Sequence, residues 1–465
     1  MNKSMTLMAI ILLFAGGCTL MPKYTRPAAP VPGAWPGGSA PAENGGATNA
    51  SVEIPWRNFY IDANLQKIIE LALENNRDLR AAAMLVEKTR AAYRIQRADL
   101  LPTINATAYG TRQEVFANIA SFEEKVDIEY YSVNLGFSAY ELDIFGRVRS
   151  LKKSALEQYL ATEHARRSLQ ISLAAEIAGA CLNLAADRER LFLAQNTLDS
   201  QETSYELIQR RFESGDASEL ELRQAQTSVD AARIDIARYA GLIALDKNAL
   251  NLLAGAPVPD ELLPDELSAI AFLKDISAGL PSSVIQRRPD ILEAESRLKS
   301  AHANIGAARA AFFPSVILTG NYGTMDDQLS GLFKSGSSVW NFTPQISVPI
   351  FDTGRNLARL DAAKADRNIL LAQYEKAIQT AFREVADALA RRESLLAQME
   401  AQESLVQATA AAYRISEARY LNGIDSHLAV LDSQRSLYGA QQGLIAVRLA
   451  RLANLVTLYK VLGGG

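Results

Sequence analysis

Arg-Ala-Asp-Leu-Leu-Pro occupies residues 97–102, and Arg-Ala-Ala-Phe-Phe-Pro occupies residues 309–314, which lie 212 positions further along the chain. The match extends towards the N-terminus without a gap, because Asp78 aligns with Asp290 at the same spacing. A proline ends both segments, and proline in this position stops a helix. The sequence therefore contains two copies of one unit, each beginning with a helix that a proline ends.

A second spacing relates the later parts of the two copies. Gly146-Arg147 matches Gly354-Arg355 at a distance of 208 positions. The same spacing aligns Tyr205 with Tyr413, Arg211 with Arg419, Gly215 with Gly423, Ser218 with Ser426, Leu220 with Leu428, Gln226 with Gln434 and Leu250 with Leu458. The spacing changes once, by four residues, between Pro102 and Gly146. The copies therefore differ in length in that one region, where β-hairpins are predicted.

Each copy predicts the same order of elements. The first repeat is placed at residues 61–280 and the second at residues 281–465. The predicted elements are a helix (64–100 and 289–312), a hairpin (103–142 and 315–351), a long helix (147–214 and 355–421), a turn at Gly215 or Gly423, and a return helix (217–254 and 425–462). Polar loops are expected within the hairpins near Glu114–Glu129 and Asp326–Ser337.

The length of the two long helices limits the possible architectures most strongly. Residues 355–421 contain no glycine and no proline, and a helix of that length spans about 100 Å. No compact domain needs such a helix, so a coiled coil or a helical tube is predicted. Small residues that let helices approach closely recur at Ala174, Ala175, Ala178 and Ala180, and at Ala408, Ala410, Ala411 and Ala412. A solvated coiled-coil scaffold is the alternative, but it does not account for the hairpins.

The predicted strands alternate between apolar and small polar residues. Tyr130–Leu142 has 13 residues, and a tilted strand needs about 9–11 to cross a bilayer. Val133, Leu135, Phe137 and Ala139 share one predicted face, as do Trp340, Phe342, Ile346, Val348 and Ile350. Such alternation is typical of a strand in a membrane barrel, whose apolar face contacts lipid and whose polar face contacts water inside the barrel. The alternative is a pair of ordinary soluble hairpins. Four strands cannot close a barrel, so several chains must share one.

The N-terminus has the layout of a secretory signal peptide over residues 1–17, with Lys3, the apolar run Leu7–Phe14 and three small residues. Cys18 follows at once, as in a lipoprotein signal box, so we expect a covalent lipid on Cys18. Ala15 departs from that box, which usually has a branched aliphatic residue there, and the alternative is an incidental cysteine. Residues 18–60 are rich in proline and glycine and are interpreted as a lipidated tether.

Composition excludes several classes of function. The formal net charge of −4 gives no basic surface for nucleic acid. Three histidines and two cysteines, scattered along the chain, suggest neither a zinc site nor a disulfide framework. We find no pattern typical of an enzyme, metal site or cofactor site. After the signal peptide no run of eighteen apolar residues is evident, so no transmembrane helix is predicted.

With these features, nearly the whole chain resembles the outer membrane factor family, and more closely its lipoprotein channels paired with resistance–nodulation–division (RND) pumps. The segments that carry the resemblance are Glu74–Leu79, Arg94–Asp99, Glu141–Arg147, Gln286–Ala294, Gly306–Pro314, Tyr374–Phe382 and the C-terminal Leu462–Gly465. The resemblance implies a mainly α chain with a membrane β-barrel. Three chains would share a twelve-stranded barrel in the outer membrane, continuous with a periplasmic helical barrel.

The resemblance also implies a function and partners. The chain would be the exit duct of a tripartite multidrug efflux system, working with a periplasmic membrane-fusion adaptor and an inner-membrane RND pump. Protein secretion through the same kind of duct is the alternative.

Carried onto this sequence, the resemblance places the adaptor-contacting tips at Gly215 and Gly423. It places the periplasmic gate at Leu428 and Asp432, whose spacing of four puts them on one helix face. A candidate closed-state latch falls at Arg419 and Tyr420. The alternative for the gate and latch pairs is plain coiled-coil packing and surface charge.

Overall fold

The computed structural model describes residues 19–35, 54–119, 122–273 and 282–464, with only the backbone of residues 115–119 and 122–126. The predicted signal peptide and Cys18 lie outside the described residues. The chain divides into two compact units. The first comprises Leu85–Glu163, Glu293–Tyr374 and the described part of Met1–Ala28; the second comprises Ala29–Met84, His164–Leu292 and Glu375–Gly465. Each unit therefore combines parts of both repeats.

The order of elements confirms the duplicated, mainly α fold. In the first repeat the elements are α1 (Trp56–Phe59), α2 (Ala63–Asn75), α3 (Arg77–Ala98), β1 (Ile104–Ile119), β2 (Phe122–Leu142), α4 (Arg147–Glu213) and α5 (Glu219–Ala254). Short 3-10 turns follow at Asp260–Leu262, Leu267–Ala269 and Ser282–Arg287. In the second repeat they are α6 (Pro289–Ala310), β3 (Ser315–Asp326), β4 (Ser338–Ser347), α7 (Arg355–Leu421) and α8 (His427–Val461).

The two long helices begin in the same way. Both α4 and α7 have 67 residues, and a glycine with positive φ precedes each, Gly146 at 78° and Gly354 at 83°. Asp143 accepts hydrogen bonds from the first backbone N–H groups of α4, and Asp352 accepts one from the Asn356 N–H of α7 at 2.9 Å. A carboxylate at a helix N-terminus accepts hydrogen bonds from backbone N–H groups that would otherwise be unpaired, and it interacts favourably with the helix dipole.

The predicted first helix, 64–100, is wrong in one respect, because it is two helices. Asn76 leaves the helical conformation with ψ at 129° and separates α2 from α3. Its side-chain oxygen accepts from the Leu79 N–H at 2.9 Å, which caps α3, and its amide donates to the Leu253 carbonyl at 2.9 Å. The asparagine thus satisfies one backbone donor that the break leaves free and also links the start of α3 to the end of α5.

The four strands form one antiparallel sheet in the order β1-β2-β3-β4. The predicted loop at Glu114–Glu129 is wrong, because β1 and β2 continue through most of it as a paired ladder. The polar composition of this stretch suggested a loop, but polar residues also occur in strands. The predicted strand end at Phe351 is also too late, since β4 ends at Ser347. Pro344 lies in β4, which is an edge strand of the sheet within the single chain, where proline is found more often than in central strands.

The alternation predicted for β2 is interrupted. Phe137 pairs with Gly320 and Tyr140 with Leu318, so two residues of β2 lie opposite one residue of β3. Ala139 adopts a φ of 54° in this bulge. An extra residue shifts the side-chain parity, so the predicted common face of Phe137 and Ala139 is wrong beyond the bulge.

One side of the sheet exposes a row of large apolar side chains. Leu135 pairs with Tyr322, which pairs with Trp340, and these three side chains are 59%, 65% and 75% exposed. On the opposite parity of β2, Ser132 and Asn134 are buried and hydrogen-bonded to each other. An apolar exposed face with a polar opposite face is the pattern of a membrane strand.

The second unit has an aromatic and alanine-rich core. Phe59 is fully buried and stacks on Tyr459 with the ring centroids 4.0 Å apart. Ala174, Ala175 and Ala178 of α4 are buried, as expected for close helix packing, and so is Cys181 among them. Ala408 and Ala412 of α7 are exposed in the single chain, so close packing there stays a prediction.

Helix α4 corrects one sequence-based prediction. It contains a segment that is long and apolar enough to cross a membrane by composition, contrary to the expectation of none. Because 56% of that segment is buried inside the chain, it has the character of a core helix.

The N-terminal segment Thr19–Trp35, part of the predicted lipidated tether, has no helix or strand and is held to the protein by specific contacts. In the first unit, Tyr24 and Arg26 both bind the buried carboxylate of Glu295. In the second unit, Trp35 is 6% exposed and stacks on Phe382 at 4.8 Å. Sparse anchor residues therefore fix this proline-rich segment to the protein at intervals. Phe59 and Tyr60, within the predicted tether range 18–60, belong to the core.

A carboxyl pair in the second unit leads to a stability prediction. Asp246 hydrogen-bonds to Asp187, and its Oδ2 atom is buried without a partner among the described residues. Burial, and then the charge and hydrogen bond of Asp187, raise the pKa of Asp246 to about 6. A raised pKa means that the stabilisation of the protonated pair is fully present below about pH 4, is lost as the pH rises from about 4 through 6, and does not change further above that.

We therefore expect Asp246→Asn to stabilise the protein by about 1–2 kcal/mol at pH 8 and to have much less effect at pH 4. Thermal unfolding of the purified protein in detergent at both pH values measures this difference. Equal shifts at the two pH values would show that the carboxyl pair does not share a proton.

Candidate functional site at the helical tips

The two glycine turns have the same backbone geometry. Gly215 and Gly423 adopt φ values of 85° and 72° at the ends of α4 and α7. The Asp216 N–H donates to the Arg211 carbonyl at 2.7 Å, and the Ile424 N–H donates to the Arg419 carbonyl at 2.9 Å. This pattern is a Schellman-type end, which requires a left-handed residue and favours glycine. Each long helix therefore reverses into its return helix through a defined turn.

Arg211 connects the two tips. Its Nη1 atom donates a 2.6 Å hydrogen bond to the Tyr420 hydroxyl, and its guanidinium lies 5.8 Å from the centre of the Tyr420 ring. Arg211 also donates to the Asp216 carbonyl in its own turn. A single side chain thus contacts the end of α4 and the end of α7, so that separating the two helix ends would break this link.

Arg419, the repeat counterpart of Arg211, binds within its own turn instead. Its Nε and Nη2 atoms donate to the two carboxylate oxygens of Asp425 at 2.6 and 3.0 Å. The hydrogen bond from Arg419 holds the pKa of Asp425 below its usual range. A bidentate pair of this kind fixes the orientation of both groups. The predicted latch residues Arg419 and Tyr420 therefore take part in polar contacts, but with different partners.

His427 is the first residue of α8 and is 4% exposed. Its ring contacts the Tyr420 ring edgewise, with the centroids 5.1 Å apart. Burial lowers the pKa of His427, the charge of Glu221 raises it and the charge of Arg211 lowers it further. A neutral imidazole is therefore favoured in this packing.

The predicted gate residues lie on an exposed face of α8, away from its buried residues. Leu428 is 53% exposed and Asp432 is exposed, whereas Val430 and Leu431 are buried. In the first repeat, Leu220 is similarly exposed at 67%. Leu428 and Asp432 are thus both available to line an opening, and their role as a gate stays a prediction.

Sequence reasoning missed Arg211, Asp425 and His427 at this site. The repeat contained a signal for the first, because Arg211 aligns with the predicted latch residue Arg419. No comparable signal indicated the hydrogen bond to Tyr420, which links residues 209 positions apart. Within the described residues no group of three or more potential metal ligands comes together.

Comparison with known proteins shows which relatives the chain has. The antibiotic efflux pump outer membrane protein ArpC of Pseudomonas putida is 49% identical over 100% of this chain and 96% of its own length. The toluene efflux pump outer membrane protein TtgC, also of P. putida, matches to the same extent.

Among solved structures, the open state of the MtrE outer membrane channel of Neisseria gonorrhoeae has a TM-score of 0.87 and 38% identity, covering 96% of this chain and 98% of that chain. These relatives do not support the protein-secretion alternative. The family model described as outer membrane efflux protein matches residues 68–256 and 280–464, which is one match in each repeat. The chain therefore belongs to the outer membrane efflux protein family.

Proposed function

We propose that this protein is the outer-membrane exit duct of a tripartite efflux system that expels small toxic compounds. Membership of the family carries the proposal, since the relatives at 49% identity are named for antibiotic and toluene efflux. Antibiotics and apolar aromatic solvents are accordingly the compound classes that we assign to it. The duct itself is passive, and the gate at its periplasmic end controls passage.

Three chains share one barrel in this proposal. The sheet of a single chain ends at β1 and β4, and in the described part of the chain no strand pairs with their outer edges. Unpaired edges are not tolerated in a lipid bilayer, because each unsatisfied backbone group costs several kcal/mol. Three copies supply twelve strands, and the exposed row of Leu135, Tyr322 and Trp340 faces lipid.

A covalent lipid on Cys18 anchors the mature chain in our proposal. The docked segment Thr19–Trp35 begins immediately after this residue, so that a lipid on Cys18 would tie a segment that contacts the protein to the membrane. We expect intact-mass measurement of the purified protein to show loss of residues 1–17 and acylation of Cys18. An unmodified Cys18, or cleavage at another position, would contradict the anchor without affecting the duct.

The helical tips are the proposed contact with the rest of the system. Turns around Gly215 and Gly423 meet a periplasmic adaptor, which connects the duct to an inner-membrane RND pump. The polar link Arg211–Tyr420 holds the tips together in the closed state, the Arg419–Asp425 pair fixes the second turn, and Leu428 with Asp432 forms the constriction. Three copies of Leu428 form an apolar ring and three copies of Asp432 form an anionic ring. This constriction excludes ions when the opening is narrow and favours the passage of cations when it is wide.

Drug susceptibility of a deletion strain tests the function. Loss of the gene is expected to increase susceptibility to both antibiotics and toluene, and the complete gene should restore resistance. Because the pump subunit selects compounds, deletion of the cognate pump gene should give the same pattern. Unchanged susceptibility to every compound tested, with the protein present in the outer membrane of the parent strain, would contradict efflux as its function.

A further inference from the structure

His427 occupies an unusual position for a group that titrates near neutral pH. Its Nδ1 atom is buried and has no hydrogen-bond partner among the described residues. The ring packs edgewise on Tyr420, whose hydroxyl accepts the 2.6 Å hydrogen bond from Arg211. It also lies directly before Leu428, the proposed constriction residue. Any movement of the imidazole towards water therefore disturbs both the tip link and the gate helix.

Burial is the main factor that disfavours a positive charge on His427. Glu221 approaches from α5 and favours a protonated imidazole, but it makes no hydrogen bond to the ring and is held by the Ser218 N–H and hydroxyl. Arg211 approaches from α4 and disfavours the protonated form. In the adjoining turn, Arg419 and Asp425 neutralise each other. The buried site is thus suited to the neutral imidazole alone.

We propose that His427 is the proton-sensitive positioning residue of the tip: neutral His427 holds Tyr420 against Arg211, and protonation expels the imidazole and opens the link. This inference rests on the proposed function and adds regulation of its gate by periplasmic pH. An imidazolium needs water or an anionic partner, and the first turn of α8 has to move to provide either. Leu428 moves with that turn.

The direction and size of the effect follow from linkage. A group whose pKa is lowered in the closed tip binds protons more tightly once the tip opens, so acid shifts the equilibrium towards the open form. With an ordinary imidazole pKa of about 6.5, the opening constant of each tip rises by up to about 30-fold at pH 5. Near pH 8 the imidazole is neutral in both forms, so its titration should not affect opening.

Two measurements on the complete, purified protein test this inference. The first is channel opening in planar lipid bilayers between pH 5 and pH 8. The second is hydrogen exchange of the two tip peptides, corrected for the intrinsic pH dependence of exchange, which requires no pore. His427→Phe retains an aromatic contact with Tyr420 without titrating, and His427→Gln is a second non-titrating variant if the first does not fold. Since the chain has three histidines, His164→Gln with His302→Gln leaves His427 as the sole histidine.

We expect opening and tip exchange to rise on acidification in the wild type and in the protein with His427 alone. Both responses should be lost in His427→Phe and His427→Gln. An acid response that persists in the non-titrating variants, or a wild type without any response, would overturn the role of His427. If no channels form in bilayers, the proposed duct function fails, and the exchange measurement still decides whether His427 controls the tip.

Discussion

Cells carrying Leu428→Ala together with Asp432→Ala are expected to admit small solutes that the wild-type channel excludes. Both side chains are exposed on the same face of α8 in the single chain. Three symmetry-related leucines in a closed constriction would bury one another, and burial of a leucine contributes about 1.5–3 kcal/mol. A free-energy difference of 1.4 kcal/mol changes an equilibrium constant tenfold, so loss of this contact should raise the open population at least about tenfold.

The aspartate contributes differently from the leucine. Three carboxylates close together repel one another and attract cations, so Asp432→Asn alone should reduce cation selectivity more than it changes opening. Single-channel recording separates the two effects, since it reports opening frequency and ion selectivity independently. Uptake of a large antibiotic in intact cells then shows whether the double variant leaks in the outer membrane.

The first repeat provides a matched control for the gate. Leu220 and Gln224 are the equivalents of Leu428 and Asp432, and Leu220 is 67% exposed. Leu220→Ala with Gln224→Ala makes a similar reduction in side-chain volume beside the other tip. Equal leakage from both double variants would show that general loosening of the tips, rather than a specific constriction, explains the result. Unchanged permeability in both would remove Leu428 and Asp432 from the gate.

Periodicity and repetition predicted the long elements well. Helices α4 and α7 end at Glu213 and Leu421, within one residue of the sequence prediction, because a helix without proline continues until a glycine turn stops it. The duplicated sequence also predicted both turns, since each copy supports the interpretation of the other. Signals of this kind are local, so they can be recognised without knowing what packs against the helix.

The unpredicted features depend on partners that are distant in sequence. Asn76 breaks a helix because the carbonyl of Leu253, 177 positions away, accepts from its side chain. The bulge at Ala139 arises from the register against β3, and β2 alone does not reveal it. Composition suggested a tether at the N-terminus, but it did not indicate that the side chains of Tyr24, Arg26 and Trp35 contact specific positions on the protein.

The anchoring of that N-terminal segment depends most on Glu295. This carboxylate is 3% exposed and accepts from the Tyr24 hydroxyl at 3.0 Å and from Arg26 Nε and Nη2 at 2.9 and 2.6 Å. Lys299 lies 3.3 Å from it, one helical turn along α6. A buried carboxylate with this many donors has few unsatisfied lone pairs, so its desolvation is largely offset.

The pKa of Glu295 indicates the pH range over which its contact with Tyr24 and Arg26 persists. Burial alone raises the pKa of this carboxyl, but the hydrogen bond from Arg26, the charge of Lys299 and the hydrogen bond from Tyr24 together hold it below the ordinary 4.5. A depressed pKa means that the stabilisation is present above about pH 4.5 and is lost as the pH falls through the lower folded value. The segment should therefore stay docked throughout the range in which His427 titrates.

Glu295→Ala is accordingly expected to release the segment at neutral pH. Breaking a buried pair costs about 3–5 kcal/mol, and the value here should be nearer 2 kcal/mol because Arg26 is 45% exposed and regains water. That corresponds to about 30-fold faster hydrogen exchange of the peptide containing residues 19–28. Glu293→Ala is the matched control, since Glu293 pairs on the same helix with Arg297, which is 58% exposed, and surface pairs contribute little. If both variants exchange at the wild-type rate, Trp35 and the other apolar contacts hold the segment; if both accelerate equally, general loosening of α6 is the cause.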